Sequence, residues 1–265
     1  PEFVAKLLEG LPDVPEARRL LAEIALRAPR PVRVVALRRL GMFASAPATS
    51  ATRPGRRPGA VLSQDASSSP HDAAARAIWV GLRSSDDTIR RAAIVGCPLL
   101  GVAQGGALAI RFLADKDFDL RAGAARCLGR LRLRSAVPGL LAALGREPQV
   151  ALLQALAAIG DRRATDAVLA LLREDHPASR EGERVEIIDA LGRLGDPRAA
   201  SVLERELAHP AWRVRWAAAL ALRRAGRSRS IGSLRVCEED YYARVRAACR
   251  DARQGLLGAA PAQDH

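Results

Sequence analysis

The apolar residues of this chain recur every three or four positions, which is the period of an amphipathic α-helix. Val202, Leu203 and Leu207, for example, fall on one side of such a helix, and Leu169 and Leu172 do the same in an earlier segment. Every periodic segment has this helical spacing. The pattern therefore predicts an all-α protein with almost no strand.

The helical segments are copies of one another, and this repetition decides the architecture. The clearest copy runs from Ile187 to Ala199 and ends in a Gly-Asp-Pro-Arg turn. Most copies open with an apolar residue followed by Arg, and aligned at that pair they begin at residues 32, 89, 120, 148, 183, 214 and 245. About 30 residues accommodate two helices of about a dozen residues each and two turns. A unit of this size cannot bury its apolar face alone, so we expect the units to stack.

The turn at residues 195–198 carries the signals for one helix to end and the next to begin. Gly195 predicts a left-handed cap after the first of these helices. Asp196 then predicts an N-cap, and Pro197 fits the first turn of the following helix. The repeat is therefore bounded by local chemistry as well as by its apolar period.

These features resemble the short HEAT repeats of the phycobilin-lyase-like family. The features in common are the apolar-Arg opening, a small residue four positions later, and Leu-Gly-Arg-Leu-Gly-Asp-Pro-Arg-Ala at residues 191–199. The resemblance covers residues 16–46 and about 76–253. It implies a right-handed α-solenoid of about seven stacked two-helix repeats. It implies little about function, because the family is mainly a scaffold used for many tasks.

Composition divides the chain into four stretches. Residues 1–46 are predicted to form an N-terminal repeat piece, and residues 71–257 the main solenoid. Between them, residues 47–70 are rich in Pro, Ser, Thr, Gly and Arg and lack a periodic apolar face, which predicts a flexible insertion. Residues 258–265 are predicted to be a frayed tail.

One arginine recurs at the second position of the repeats. Its copies are Arg33, Arg90, Arg121, Arg184, Arg215 and Arg246. The resemblance implies that this arginine bridges neighbouring repeats by pairing with an aspartate of a turn, and the candidates include Asp86, Asp87, Asp117 and Asp119. We therefore predict a structural ladder and do not count these arginines as ligand-binding charge.

The resemblance also implies that the second helix of each repeat lines a concave face, with its third, seventh and eleventh positions on one side. The predicted partner-binding residues on this face are Arg91, Arg126, Arg130, Asp189, Arg193, Trp216, Leu220 and Arg224. Such a mixture of Arg, Trp and aliphatic side chains is typical of protein-binding surfaces. For the apolar members the alternative is packing between helices, and Trp212 with Trp216 would equally fill space between repeats.

The 265 residues carry a formal net charge of +13, and 40 of the 42 basic residues are arginine. An Arg-rich and Lys-poor composition is typical of a GC-rich bacterial genome, so part of this charge reflects codon usage. Residues 76–147 carry +6, residues 148–210 carry −3 and residues 211–265 carry +6. Because a nucleic-acid groove should be basic along its length, we expect nucleic-acid binding to be weak and nonspecific.

Residue patterns for catalysis and metal binding are sparse. The histidines are His71, His176, His209 and His265, and none lies four residues from another or precedes a glutamate. This argues against a zinc helix and against the di-iron pattern of deoxyhypusine hydroxylase, a HEAT-repeat enzyme. The cysteines, Cys97, Cys127, Cys237 and Cys249, lack metal-site spacing and disulfide-framework density. We predict no catalytic residues, no cofactor and no metal, although an enzyme stays an open alternative.

Two other functions stay open. In alkylpurine DNA glycosylases, which have similar repeats, an Asp and tryptophans lie on a basic concave face. Asp189 and Trp216 occupy concave positions of adjacent repeats, but no Trp is followed by Asp one turn later. The other alternative is a lyase or chaperone of a cofactor-bearing protein.

The sequence therefore predicts a non-catalytic scaffold that binds another protein along its concave face. It contains no run of eighteen apolar residues, so no membrane span is expected. No signal-peptide pattern opens the chain, and we expect a cytoplasmic protein.

Overall fold

The computed structural model describes residues 2–43, 70–172 and 181–258. These residues form fifteen α-helices joined by turns, short 3₁₀ segments and one π-helical segment, and they contain no strand. The all-α prediction is therefore confirmed. Within the same part of the chain, no helix is both long and apolar enough to cross a bilayer.

The first of two compact units is Pro1–Leu131. Its helices are α1 (Glu2–Glu9), α2 (Pro15–Arg27), α3 (Arg30–Phe43), α4 (Pro70–Leu82), α5 (Asp87–Ile94), α6 (Ala107–Phe112) and α7 (Phe118–Leu131). The pairs α2–α3, α4–α5 and α6–α7 are three repeats, and the second helices α3, α5 and α7 pack against one another in that order. Because α2 also packs on α4, the repeats on either side of residues 44–69 are direct neighbours.

The second unit is Arg132–His265 and contains four repeats. Its helices are α8 (Val137–Arg146), α9 (Val150–Ile159), α10 (Thr165–Ala170), α11 (Glu181–Leu194), α12 (Ala200–Glu206), α13 (Trp212–Ala225), α14 (Ile231–Cys237) and α15 (Ala243–Gly258). The second helices α9, α11, α13 and α15 pack in this order. Each first helix follows a 3₁₀ turn, at Arg134–Ala136, Arg162–Ala164, Pro197–Ala199 and Ser228–Ser230.

Small residues let the second helices approach closely. The small residue four positions after the apolar opening is fully buried in every copy that the sequence singled out, namely Ala36, Ala93, Ala124, Ala218 and Cys249. Near the ends of these helices, a Cβ on Gly192 would lie 2.6 Å from the Ala221 Cα, and a Cβ on Gly41 would lie 2.8 Å from the Val95 Cβ. The core of each unit therefore tolerates only small residues where second helices meet.

The turn at residues 195–198 has the predicted conformation. Gly195 ends α11 with φ 61°, and Gly160 ends α9 with φ 70°. Asp196 caps the following 3₁₀ turn by accepting a hydrogen bond from the Arg198 backbone N–H at 3.0 Å. At the corresponding position, two residues before the turn Arg134–Ala136, Arg132 has φ 48°. The left-handed cap is thus kept even where the chain has no glycine. A positive φ is a strained backbone conformation for arginine.

Asp196 also ties two repeats together. Its carboxylate is buried and accepts hydrogen bonds from the Thr165 hydroxyl of the preceding repeat at 2.9 Å and from the Arg198 guanidinium at 2.7 Å. Arg198 donates in turn to Asp166, at the start of α10, at 2.8 Å. The hydrogen bonds from Arg198 lower the pKa of Asp196 to about 2, so the network is fully charged at neutral pH.

One local feature, a disulfide in the last repeat, was not predicted from the spacing of the cysteines. Cys237 in α14 and Cys249 in α15 form a disulfide, with Cα atoms 5.9 Å apart. The two residues are twelve positions apart in the sequence and lie on two helices of one repeat. No spacing motif in the sequence predicts such a pair, because only the packing of the two helices brings the sulfur atoms together.

The predicted insertion at residues 47–70 and the predicted tail at 258–265 lie outside the described residues, apart from Pro70 at the start of α4 and Gly258 at the end of α15. Their flexibility stays a prediction. The N-terminal piece predicted at residues 1–46 lies in the same compact unit as α4–α7.

Candidate partner-binding face

The recurrent arginine closes the turn of its own repeat. The Arg215 guanidinium donates to the carbonyls of His209 and Pro210, six and five residues earlier, both at 2.8 Å. Equivalent bonds to the preceding turn are made by Arg90, Arg121 and Arg246. These arginines supply hydrogen-bond donors to carbonyls of the turn that joins the two helices of the repeat. Their position in the repeat is therefore structural.

The predicted bridging between repeats is right for some copies and wrong for others. Arg215 pairs with Asp240, in the turn of the next repeat, at 2.6 Å, and this hydrogen bond lowers the pKa of Asp240. Arg184 instead pairs with Glu206, in the first helix of the next repeat, at 2.7 Å. Both ion pairs are largely buried.

In the first unit, arginines other than the recurrent one pair with the aspartates of the next repeat. The Asp117 carboxylate pairs with Arg91 at 2.7 Å rather than with Arg90 or Arg121. Asp86 likewise pairs with Arg30 at 2.6 Å. The choice of arginine depends on which side chain the helix rotation presents to the aspartate, and the apolar-Arg pattern does not encode that rotation.

The third, seventh and eleventh positions of the second helices form an exposed surface in the second unit. We call it the second-helix face, and its exposed members are Val150, Gln154, Asp189, Arg193, Trp216, Leu220, Arg224, Ala247 and Asp251. Five of the predicted partner-binding residues belong to it. Their exposure agrees with the predicted register of these helices, and their role in partner binding stays a prediction.

The centre of the second-helix face is α13 with its neighbour α11. Trp216 and Leu220 are each 38% exposed and lie one turn apart, with Arg224 one turn further on. On α11, Arg193 lies 3.8 Å from Asp189, and both side chains are about half exposed. The arrangement places an aromatic and an aliphatic side chain beside charged groups that are open to a partner.

The other three predicted residues lie in the first unit. Arg91, Arg126 and Arg130 are all exposed, and Arg126 and Arg130 share one side of α7. Arg91 is also committed to its ion pair with Asp117, whose hydrogen bond raises the pKa of Arg91. Arg91 is therefore partly a bridging residue, which the sequence reasoning did not foresee.

The two neighbouring tryptophans of α13 have different environments. Trp212 stacks on Tyr242 of the next repeat, with ring centroids 5.6 Å apart and planes 21° apart, so it fills space between repeats. Trp216 stays exposed on the second-helix face. Tyr241 meets the Tyr242 ring edge-on and is 88% exposed. The register could have revealed the Trp212–Tyr242 pair, because each residue stands two or three positions before an apolar-Arg opening.

Comparison with known proteins agrees with this architecture. Residues 178–252 match the family model described as HEAT repeats. A stretch of 106 residues is 42% identical to the bilin biosynthesis protein PecE of Mastigocladus laminosus and covers 38% of each chain. The PecE protein of Nostoc is 40% identical over 106 residues, which are 38% of this chain and 40% of that protein. The matched part thus spans well under half the length of these relatives.

Two solved structures share the fold. An engineered protein is similar with a TM-score of 0.57 at 17% identity, over 91% of this chain and 68% of the other. The complex of CpcE and CpcF of phycocyanin lyase from Nostoc is similar with a TM-score of 0.53 at 20% identity, over 94% of this chain and 96% of the other. Taken with the seven helix pairs of the described residues, these matches show an α-solenoid fold in which residues 178–252 match HEAT repeats.

Proposed function

We propose that this HEAT-repeat scaffold binds another protein through the second-helix face, with Trp216 as the central anchor. The observation that carries the proposal is the exposure of Trp216 and Leu220 on α13. Arg224 is exposed on the same helix, and Asp189 and Arg193 are exposed on the neighbouring helix α11. Partly exposed Trp and Arg side chains on a preorganised surface are the residues that most often dominate a protein interface.

Contacts away from the second-helix face fix the position of α13. Arg215 fixes the turn before α13 and pairs with Asp240, and Trp212 stacks on Tyr242. The anchor residues therefore need little ordering when a partner binds, which lowers the entropic cost of association. This supports the reading of the face as a binding surface rather than a loosely packed flank.

The experiment is affinity capture from the source organism with the full chain, followed by mass spectrometry with and without nuclease. A Trp216→Ala variant and an Arg193→Glu variant should each weaken capture of the partner at least about tenfold, as expected for hot-spot residues. Matched controls are Val236→Ala and Arg205→Glu, which change exposed residues on the first helices α14 and α12. The controls should retain binding.

Three results would contradict the proposal. A Trp216→Ala variant that melts would show that the tryptophan is core. Recovery of nucleic acid alone, lost after nuclease, would favour the nucleic-acid alternative. In that case replacing Arg126, Arg130, Arg193 and Arg224 together by Gln should flatten the salt dependence of DNA binding by about 0.9 per lost phosphate contact. Base release that depends on Asp189 would favour a glycosylase.

The matches to the two PecE proteins favour a second candidate. The chain would then act as a subunit of a lyase, or as a chaperone, for a bilin-bearing protein. The test mixes the chain with a free bilin and the apo form of a bilin-bearing protein and follows attachment by visible absorption after denaturation. Attachment that depends on the chain would support this candidate, and its absence would leave the scaffold proposal as the better one.

A cytoplasmic location belongs to the proposal. Fractionation of the source organism followed by immunoblotting tests this location. Recovery of the chain in the cytoplasmic fraction would support it, and recovery in a membrane or exported fraction would contradict it.

A further inference from the structure

Two clefts in the first unit meet at the side chain of Trp79. One, of about 500 Å³, lies beside α6 and is lined by Trp79, Phe112 and Arg111 among others. The second, of about 390 Å³, lies toward α2 and α3 and is lined by Trp79 and Arg33 among others. Trp79, Arg83 and Ser84 line both. We call the pair the Trp79 cleft, and its volume is in the range of about 300–1,000 Å³ typical of small-molecule sites.

The Trp79 cleft has an excess of positive charge. Four arginines line it, Arg33, Arg83, Arg90 and Arg111, against one carboxylate, Asp115. Arg90 is already bound to the Ser84 carbonyl at 2.9 Å and to Asp87. Asp115 accepts a hydrogen bond from the Asp117 backbone N–H at 2.9 Å. Within the described part of the chain, Arg33, Arg83 and Arg111 have no carboxylate partner.

Arg33 departs from the other recurrent arginines. Its Nε atom is buried and has no hydrogen-bond partner. In other repeats the corresponding arginine binds the carbonyls of a four- or five-residue link, but α2 and α3 are joined only by residues 28 and 29. A buried guanidinium N–H without a partner is rare in folded proteins and calls for an acceptor. The cleft beside it is where an acceptor from a ligand would lie.

The apolar part of the cleft favours a flat ring. Trp79 offers its indole beside Phe112, and the Arg83 guanidinium lies 5.5 Å from the centre of the Trp79 ring. Aromatic faces of this kind stack on nucleobases. Guanidinium groups suit phosphate because their parallel N–H groups bind two oxygen atoms at once.

We infer that the Trp79 cleft binds a nucleotide, with the base against Trp79 and the phosphate between Arg83 and Arg111 or Arg33. In either cleft, a doubly charged phosphate matches two guanidinium groups that lack a carboxylate partner, Arg83 with Arg111 or Arg83 with Arg33, better than a single carboxylate does. None of the residues that line the Trp79 cleft belongs to the second-helix face.

The test is a titration of the full chain with AMP, adenosine and inorganic phosphate, followed by tryptophan fluorescence and by equilibrium dialysis. AMP should bind saturably and at least about tenfold more tightly than adenosine or phosphate, since it alone uses both parts of the cleft. The fluorescence change should disappear in Trp79→Phe, because Trp212 and Trp216 lie in the other unit.

Arg83→Gln and Arg111→Gln should each weaken AMP binding by about tenfold, the usual effect of losing one charged contact. Both residues are exposed, so these variants should fold. The matched control is Arg126→Gln, which removes an exposed arginine of the same unit that does not line the cleft. Equal AMP affinity in Arg83→Gln and the wild type would overturn the inference. So would an absence of saturable AMP binding, or tighter binding of an oligonucleotide that survives both substitutions.

Discussion

The two units contain the same repeated helix pair but connect neighbouring repeats differently. In the second unit, the first helices are tied at their N-termini, where Asp196 accepts from Thr165 and Arg198 reaches Asp166. Ties at the second helices occur in both units, because Asp86 and Asp117 in the first unit and Asp240 in the second each pair with an arginine of the preceding repeat. The comparison shows that the apolar pattern determines the repeat, whereas the ion pairs and hydrogen bonds between repeats differ from one unit to the other.

The two units also differ in the segments that precede their first helices. Between α5 and α6 the first unit contains a 3₁₀ turn at Cys97–Leu100 and a π-helical segment at Val102–Gly106. The first helices of the second unit all follow a single 3₁₀ turn. The cleft beside α6 belongs to the irregular unit, and the stretch that matches the HEAT-repeat model belongs to the regular one.

The largest expected effect concerns the Cys237–Cys249 disulfide, which joins the two helices of the last repeat. Replacing both cysteines by serine should lower the free energy of unfolding of the second unit by about 3 kcal/mol, because the unfolded chain regains the freedom of the loop. Hydrogen exchange followed by mass spectrometry should show faster exchange in α14 and α15. Exchange in residues 2–43 is the internal reference, and equal acceleration there would contradict a stabilising effect of the disulfide on the last repeat.

Asp196→Ala should cost the second unit about 2–3 kcal/mol. The substitution removes an N-cap and leaves the buried Thr165 hydroxyl without its acceptor. Asp161→Ala is the matched comparison, because Asp161 caps the corresponding turn and its side chain is tied to Arg163 alone. It should cost only about 1 kcal/mol. Equal losses in urea unfolding would show that the tie to Thr165 adds nothing.

Gly192→Ala should cost about 1–2 kcal/mol, because the new methyl group would press on the Ala221 backbone at 2.6 Å. Gly41→Ala places the methyl against the Val95 side chain in the first unit, at 2.8 Å. It tests whether second helices are packed as tightly there. Gly182→Ala, whose methyl group would meet no neighbour, is the control and should be neutral or slightly stabilising. Thermal unfolding measures all three.

The smallest expected effect is a difference in acid stability. Asp161 and Asp196, both in the second unit, have pKa values lowered to about 2 by hydrogen bonds from Arg163 and Arg198. Their folded pKa lies below the ordinary value of 3.8. Their contribution to stability is therefore complete above that value and is lost as the pH falls toward 2. Asp196→Asn should flatten the fall in stability of the second unit between about pH 5 and pH 2, and an unchanged slope would contradict this assignment.

Much of the fold was predictable because its signals are local and periodic. Helical spacing fixes which side of a helix is apolar, and the left-handed cap at Gly195 follows from a short segment of sequence. The register of the second helices also followed from the sequence. Ala36 and Ala218 are buried, and Trp216 and Leu220 are exposed, because all of them keep a fixed position relative to the apolar-Arg opening.

Tertiary structure alone decided the pairings between helices. Asp117 binds Arg91 rather than Arg90, Trp212 is stacked while Trp216 is exposed, and Cys237 meets Cys249. Each outcome depends on the rotation and offset of one helix against its neighbour, and a difference of one residue turns a side chain by about 100°. The sequence by itself determined the helices, the repeat and the exposed positions. The ion pairs and clefts depend on the rotation and offset of each helix against its neighbours in the close-packed repeats. No local sequence pattern encodes that rotation and offset.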